Sequence, residues 1–182
     1  NPKARILIAR MTPLSDRHAR FESGTRDWHR EIQQAIETIA AMSDVQLIDF
    51  FEPMYPYHQL LHDAVHPNAE GARILAQTVY SSITGDFGGL QMPMIYTDNM
   101  VLQRNRPLKI AGTANAGEKI KLTIGKQKHT TTTADNGNWS VTLNPLSVGK
   151  PYTLTISSPT KKLSFQNVLA GEVWLCSGQS NM

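Results

Sequence analysis

The chain has 182 residues, 40% of them hydrophobic and 18% charged, with a formal net charge of +3 and a single cysteine, Cys176. That length can bury a core in one or two domains, the lone cysteine excludes an intrachain disulfide, and no apolar run approaches the length of a membrane span. Residues 1–90 hold eight Lys and Arg against eleven Asp and Glu, net −3, and residues 91–182 hold ten against four, net +6, a shift that marks a domain boundary near residue 90.

No leader pattern is visible at Asn1-Pro-Lys3, and the chain reads as cut from a longer polypeptide. Residues 4–9, Ala-Arg-Ile-Leu-Ile-Ala, suit a strand covered on both faces. Met11-Thr-Pro-Leu-Ser15 breaks that pattern, and a polar loop follows to Gly24. A helix is expected from Thr25, which would cap it, with Asp27 in the first turn. Trp28, Ile32, Ala35, Ile36, Ile39 and Ala40 then share its core face. Residues 45–51 read as a second strand, and strand, helix, strand implies a parallel pair with a crossover. Pro53 and Pro56 are expected to end that strand and open a loop. It leads to His62-Asp-Ala-Val-His-Pro-Asn68 and a further helix, capped by Asn68, with Ala72, Leu75, Ala76, Val79 and Ile83 as its apolar stripe.

Asp63 and His66 thus fall after a strand and before a helix, at the edge of the sheet where open α/β folds keep their sites. An aspartate three residues before a histidine in one loop can hold the imidazole in one tautomer and free its far nitrogen to act as a base. The alternative is that the two merely shape the start of the helix. His58, His62 and His66 recur every fourth residue, a metal-ligand spacing if all three shared one helix. Pro56 and Pro67 bracket the run, so no metal is expected there. His18, His29 and His129 stand alone and carry no signal.

Residues 86–92 are glycine-rich and read as a linker. Beyond them residues 119–124, 139–143 and 152–157 alternate apolar with polar, separated by turn signals at 115–117, 135–137, 145–149 and 158–159. Short strands so punctuated spell a small β-sandwich of Ig-like size. Lys119, Lys121, Lys126 and Lys128 alternate with apolar residues as the wet face of a sheet would, so the basic half does not indicate nucleic acid. Trp139 is expected in the core, with a sugar-stacking platform as the alternative. Residues 173–176 again have strand character, which makes Cys176 a small buried hydrophobe. They lead into Ser177-Gly-Gln-Ser180, a turn fit to present a serine nucleophile with backbone N–H groups facing an oxyanion. This is not the G-x-S-x-G elbow, because Met182 stands where the second glycine would be.

The run Gly171-Glu-Val-Trp-Leu-Cys-Ser-Gly-Gln-Ser-Asn-Met182 resembles the opening block of the sialate O-acetylesterase family, carbohydrate esterases of the SGNH-hydrolase type. Asp98-Asn-Met-Val-Leu-Gln103, Gly112, Ala116-Gly-Glu118, Gly137-x-Trp139 and Val168 look like that family's N-terminal β domain, so the resemblance covers residues 93–182. It implies Ser180 as nucleophile, with the Gln179 and Asn181 side chains flanking the substrate pocket. Asp63-x-x-His66-Pro-Asn68 and its helix look like the closing block of SGNH/GDSL hydrolases, whose serine lies upstream. By that resemblance His66 is the base and Asp63 its orienter.

The fold class expected is α/β plus all-β. Residues 1–85 would be the C-terminal part of an SGNH domain with a flavodoxin-like parallel sheet, and 86–92 the linker. Residues 93–170 would be the β-sandwich, and 171–182 the first strand and nucleophile turn of a second SGNH domain. The function implied is removal of O-acetyl groups from sugars such as sialic acid through a serine acyl-enzyme, by a tandem enzyme of which this segment alone would be inactive. Each catalytic group would find its partners in flanking parts of the polypeptide. A composite site joining Ser180 to Asp63 and His66 fails on topology, because the sheet would lack the strands that set serine beside histidine. The competing function is a glycan-binding or spacer β-sandwich between inactive hydrolase parts. No metal or organic cofactor is implied. The partner implied is an O-acetylated carbohydrate, with no membrane span, and the location periplasmic or secreted.

Overall fold

The computed structural model describes residues 4–15, 22, 24–42 and 45–176. It divides into two compact units, Asn1–Thr84 and Gly85–Met182.

In the first unit β1 (Leu7–Ala9) pairs in parallel with β2 (Gln46–Ile48), Leu7 opposite Gln46, and α1 (Thr25–Met42) makes the crossover. Thr25 does not cap α1; its hydroxyl accepts from the Glu22 N–H at 3.1 Å, and the Gly24 carbonyl takes the Asp27 and Trp28 N–H groups. The helix also turns a different face inward. His29 and Gln33 are buried, while Trp28 is 47% and Ile39 52% exposed. The cause is the loop after β1, whose Met11 and Thr12 backbone groups lie against α1 and require polar partners.

The second strand is shorter than expected. Asp49 accepts from the Phe51 and Glu52 N–H groups at 2.9 and 3.2 Å, and α2 (Phe51–Met54) begins there, followed by a 3-10 helix, Tyr55–Leu60. Pro53 and Pro56, expected to open a loop, instead sit in the first turns of these two helices. A first-turn residue has no intrahelical partner for its N–H, so proline loses nothing there. α3 (Ala69–Thr84) is capped by Asn68, whose side-chain oxygen accepts from the Glu70 and Gly71 N–H groups at 3.1 and 3.0 Å. Gly71 allows α3 to approach the preceding loop, since a Cβ there would come within 2.8 Å of Pro67 Cβ. Met54, Leu60 and Leu61 form a small core with Ile74 and Leu75 beneath that loop.

The second unit holds a five-stranded sheet and a two-stranded one. Its strands are β3 (Val101–Gln103), β4 (Leu108–Thr113), β5 (Lys119–Ile124), β6 (Gln127–Thr132), β7 (Asn138–Leu143), β8 (Tyr152–Ser157) and β9 (Lys162–Gly171). The larger sheet has the order β3-β9-β8-β5-β6, and β4 pairs with β7. Ile120, Leu122 and Ile124 point from β5 into one core with Leu154 and Ile156 of β8 and Val141 and Leu143 of β7. Lys119 and Lys121 face outward between them. Trp139 is 3% exposed and belongs to that core, which leaves it no ring face for stacking.

Two expectations are corrected here. Residues 86–92 are not a free connector: Leu90 is fully buried in the core, and the Phe87 and Gly89 N–H groups both donate to the Asn115 side-chain oxygen, at 2.8 and 2.9 Å. Residues 172–176 are not a strand, Leu175 is 95% exposed, and Cys176 is exposed too. β9 ends at Gly171 because its parallel neighbour β3 ends at Gln103, and among the described residues no strand continues alongside to accept further ladder bonds.

Candidate active site

The loop between the 3-10 helix and α3 is tightly bonded. The Ala64 N–H reaches the Leu61 carbonyl at 3.1 Å, and Asn68 N–H reaches Leu60 at 2.8 Å. Ala64 has φ +75°, a left-handed conformation unusual for a residue with a Cβ. That twist folds Val65 and His66 back over Asp63. One oxygen of the Asp63 carboxylate accepts from the Val65 and His66 N–H groups at 3.1 and 2.7 Å, and the other meets His66 Nδ1 at 2.6 Å.

A carboxylate only accepts, so Nδ1 carries the proton in this bond and the neutral ring keeps its lone pair on Nε2. Nε2 makes no hydrogen bond among the described residues, and the His66 side chain is 75% exposed. The backbone N–H of His66, then its imidazole, hold the Asp63 carboxyl well below the usual carboxylate range. Asp63 is therefore an anion wherever a histidine base works. Chemically the pair can orient an imidazole and offer Nε2 to a proton from outside. His58 lies in the 3-10 helix and His62 in the following turn, so the four-residue spacing does not build one ligating face.

Sequence reasoning passed over the residues that hold the neighbouring loop. Gln33 donates to the Met11 carbonyl at 2.7 Å and accepts from the Met11 N–H at 2.9 Å, as a strand would. His29 Nε2 lies 3.0 Å from the Thr12 carbonyl. Three residues on, the Ser15 N–H donates to the Ala64 carbonyl at 3.1 Å, which ties this loop to that of Asp63. The available signal was a pair of polar residues at i and i+4 beside an apolar stripe. Burial pushes the His29 pKa down, against the Thr12 carbonyl, which raises it, and with the Arg10 guanidinium, which lowers it further.

The unfolded chain thus binds a proton that folded His29 refuses, and stability rises with pH across that interval. His29's contribution is complete above its unfolded value of 6.5 and is lost as pH falls from there toward the lower folded value. Urea denaturation at about pH 7.5 and about pH 5.5 is expected to show the first unit weaker in acid, and His29→Gln to flatten that slope.

Ser180, Gln179 and Asn181 lie outside the described residues. What is described is the chain leading toward them. The Arg104 guanidinium meets Glu172 at 2.6 Å, Gln103 donates to the other carboxylate oxygen at 2.9 Å, and the Gln103 side-chain oxygen accepts from the Val173 N–H at 2.9 Å. The Gln103 amide and the Arg104 guanidinium push the Glu172 pKa down. Arg104→Ala is expected to speed amide hydrogen exchange at Val173 with little change in the unit's unfolding temperature, because exposed ion pairs contribute little globally.

Four similarities relate this chain to known proteins. The GDSL-like lipase/acylhydrolase family matches residues 1–74. The sialate O-acetylesterase of Homo sapiens is 32% identical over 105 residues, covering 52% of this chain and 20% of that protein. The sialate O-acetylesterase of Rattus norvegicus is 36% identical over 99 residues, covering 48% and 18%. The chain spans about a fifth of the length of these curated relatives. A solved structure of a carbohydrate acetylesterase from Xanthomonas citri is 31% identical, with a TM-score of 0.49, over 51% of this chain and 21% of that one.

Proposed function

The chain is related to the SGNH-type sialate O-acetylesterases and to GDSL-like acylhydrolases, and from that premise we propose that it is a segment of a carbohydrate esterase that removes O-acetyl groups from sugars. The first unit is the closing part of one SGNH domain, with His66 as its base and Asp63 as the orienter. The second unit is a β-sandwich that leads into the opening segment of another SGNH domain, whose nucleophile is Ser180, flanked by Gln179 and Asn181. The observation that carries the reading is the 2.6 Å bond from His66 Nδ1 to Asp63 with Nε2 left open.

In each complete site a serine Oγ attacks the acetyl carbonyl while a histidine takes its proton. The same histidine returns that proton to the departing sugar hydroxyl, and water then hydrolyses the acyl-enzyme to acetate. In the first unit that histidine is His66, and its serine belongs to strands other than those described. The enzyme would work in the periplasm or outside the cell; among the described residues no helix is long and apolar enough to cross a membrane. The burial of Trp139 removes the one stacking platform that the sequence suggested for a glycan-docking role of the second unit.

The test is acetate release from O-acetylated sialic acid by the polypeptide that carries both complete units. Ser180→Ala and His66→Ala should each remove one share of the activity, and the double variant all of it. Activity that survives the double variant, or is abolished entirely by either single change, would overturn the reading of two sites.

A further inference from the structure

Strands β9, β8, β5 and β6 lie side by side in the larger sheet of the second unit, and Leu122, Ile124, Leu154 and Ile156 turn inward from them to its core. On the opposite face Lys119, Lys121, Lys128 and Lys162 are all exposed. The register sets that face out in rows. Lys162 pairs with Ser157, Ser157 with Lys121, and Lys121 with Thr130. Two lysines thus stand one strand to either side of a serine hydroxyl, each about 5 Å from it across the sheet. In the next row Thr155 and Thr123 stand between Ser164 and Lys128. None of these four lysines makes an ion pair among the described residues. The second unit has five acidic side chains, of Asp86, Asp98, Glu118, Asp135 and Glu172, and none of them belongs to the four strands. Asp98 meets β9 at Gln166, beyond Ser164, and Glu118, just before β5, has a carboxylate oxygen buried. Like charges gathered in this way repel one another, and an anion laid across them relieves the repulsion.

We propose that this sheet face docks a sulfated polysaccharide, with its sulfate esters seated over Ser157 between Lys121 and Lys162 and its sugar hydroxyls bonded to the threonines alongside. The rows hold no aromatic side chain for bases to stack on and no apolar one to enter a bilayer, which disfavours single-stranded nucleic acid and lipid. A lysine ammonium is a point charge with three rotatable donors, so it imposes no planar partner and suits a sulfate, whose oxygens point in several directions. Charge alternating with hydroxyl matches a polymer that carries both. The docking uses neither His66 nor Ser180, so it goes beyond the esterase reading and stands without it.

The test is calorimetric titration of the 182-residue chain at low salt with a sulfated galactan, the same galactan after desulfation, duplex DNA and phosphatidylglycerol vesicles. The sulfated polymer should bind, and the other three should bind about tenfold more weakly or not at all. Lys121→Ala and Lys162→Ala should each weaken binding about threefold and the double variant about tenfold, the size of exposed ion pairs that add. Lys109→Ala and Lys150→Ala remove the same charge outside these strands and should leave binding unchanged. Salt at about 1 M, where screening acts within about 3 Å, should abolish it. Circular dichroism of each variant checks the fold. Equal binding of the desulfated polymer, equal or tighter binding of DNA or vesicles, no binding of the sulfated polymer, or equal losses from Lys109→Ala and Lys121→Ala would overturn the proposal. Binding is read without hydrolysis, so His66→Ala must bind as the unaltered chain does. A failure of the esterase reading, seen as no acetate release, is thereby separate from a failure of the docking face.

Discussion

Asp63→Asn, in the polypeptide that carries the whole upstream hydrolase unit, is expected to lower the turnover of acetyl esters about ten-thousand-fold with little change in KM. The substitution keeps an oxygen for the Val65 and His66 N–H groups, so the loop around Ala64 survives. What it removes is the anion that holds the proton on His66 Nδ1. With an amide there, the ring favours the other tautomer, and Nε2 is protonated when it should accept. Rate profiles of wild type and variant with intact circular dichroism would separate this loss of orientation from a loss of fold. A smaller loss, within about tenfold, would make Asp63 a shaper of the helix start rather than an orienter.

The same bonds set a pH dependence. Because the folded Asp63 carboxyl is depressed, the stability it contributes is present above the unfolded carboxylate value of 3.8 and is lost only as pH falls through the lower folded value.

The largest loss of stability is expected from Gly137→Ala in the turn that opens β7. Gly137 has φ +78°, and a Cβ there would lie 2.4 to 2.7 Å from the ring of Phe87. The left-handed backbone costs an alanine about 1–2 kcal/mol, and forcing the Phe87 ring aside adds about 1–3 kcal/mol. Gly89→Ala is the control, with φ +71° and nothing within 4 Å of the added carbon, so only the backbone cost applies. Denaturant unfolding should therefore show Gly137→Ala lowering the stability of the second unit by about 2–5 kcal/mol, against about 1–2 kcal/mol for Gly89→Ala. Equal losses at the two sites would show that the Phe87 contact costs nothing.

Local signals were legible in the sequence, and distant ones were not. Alternation in residues 119–124 and 152–157 gave β5 and β8 at their bounds, because one covered face imposes a period of two. Asn68 was readable as a cap, and the bond between Asp63 and His66 as a spacing, since all partners lie within a few residues. The buried face of α1 was not readable, because its partner is the backbone of Met11 and Thr12, some twenty residues away, and backbone groups leave no mark in a sequence. The clamp of Gln103 and Arg104 on Glu172 joins residues about seventy positions apart and depends on the parallel register of β3 with β9. Residues 173–176 look like a strand by composition, yet a strand also needs a neighbour to pair with, and composition does not supply one.

The most direct measurement is fluorophosphonate labelling of the 182-residue chain by itself, with the modified peptide located by mass spectrometry and a polypeptide containing the complete downstream unit as control. If Ser180 and the Asp63–His66 pair belong to two different sites, the chain alone takes no label and the control is labelled at Ser180. A label on Ser180 in the chain alone, lost in His66→Ala, would contradict this and would place serine, histidine and aspartate in one triad.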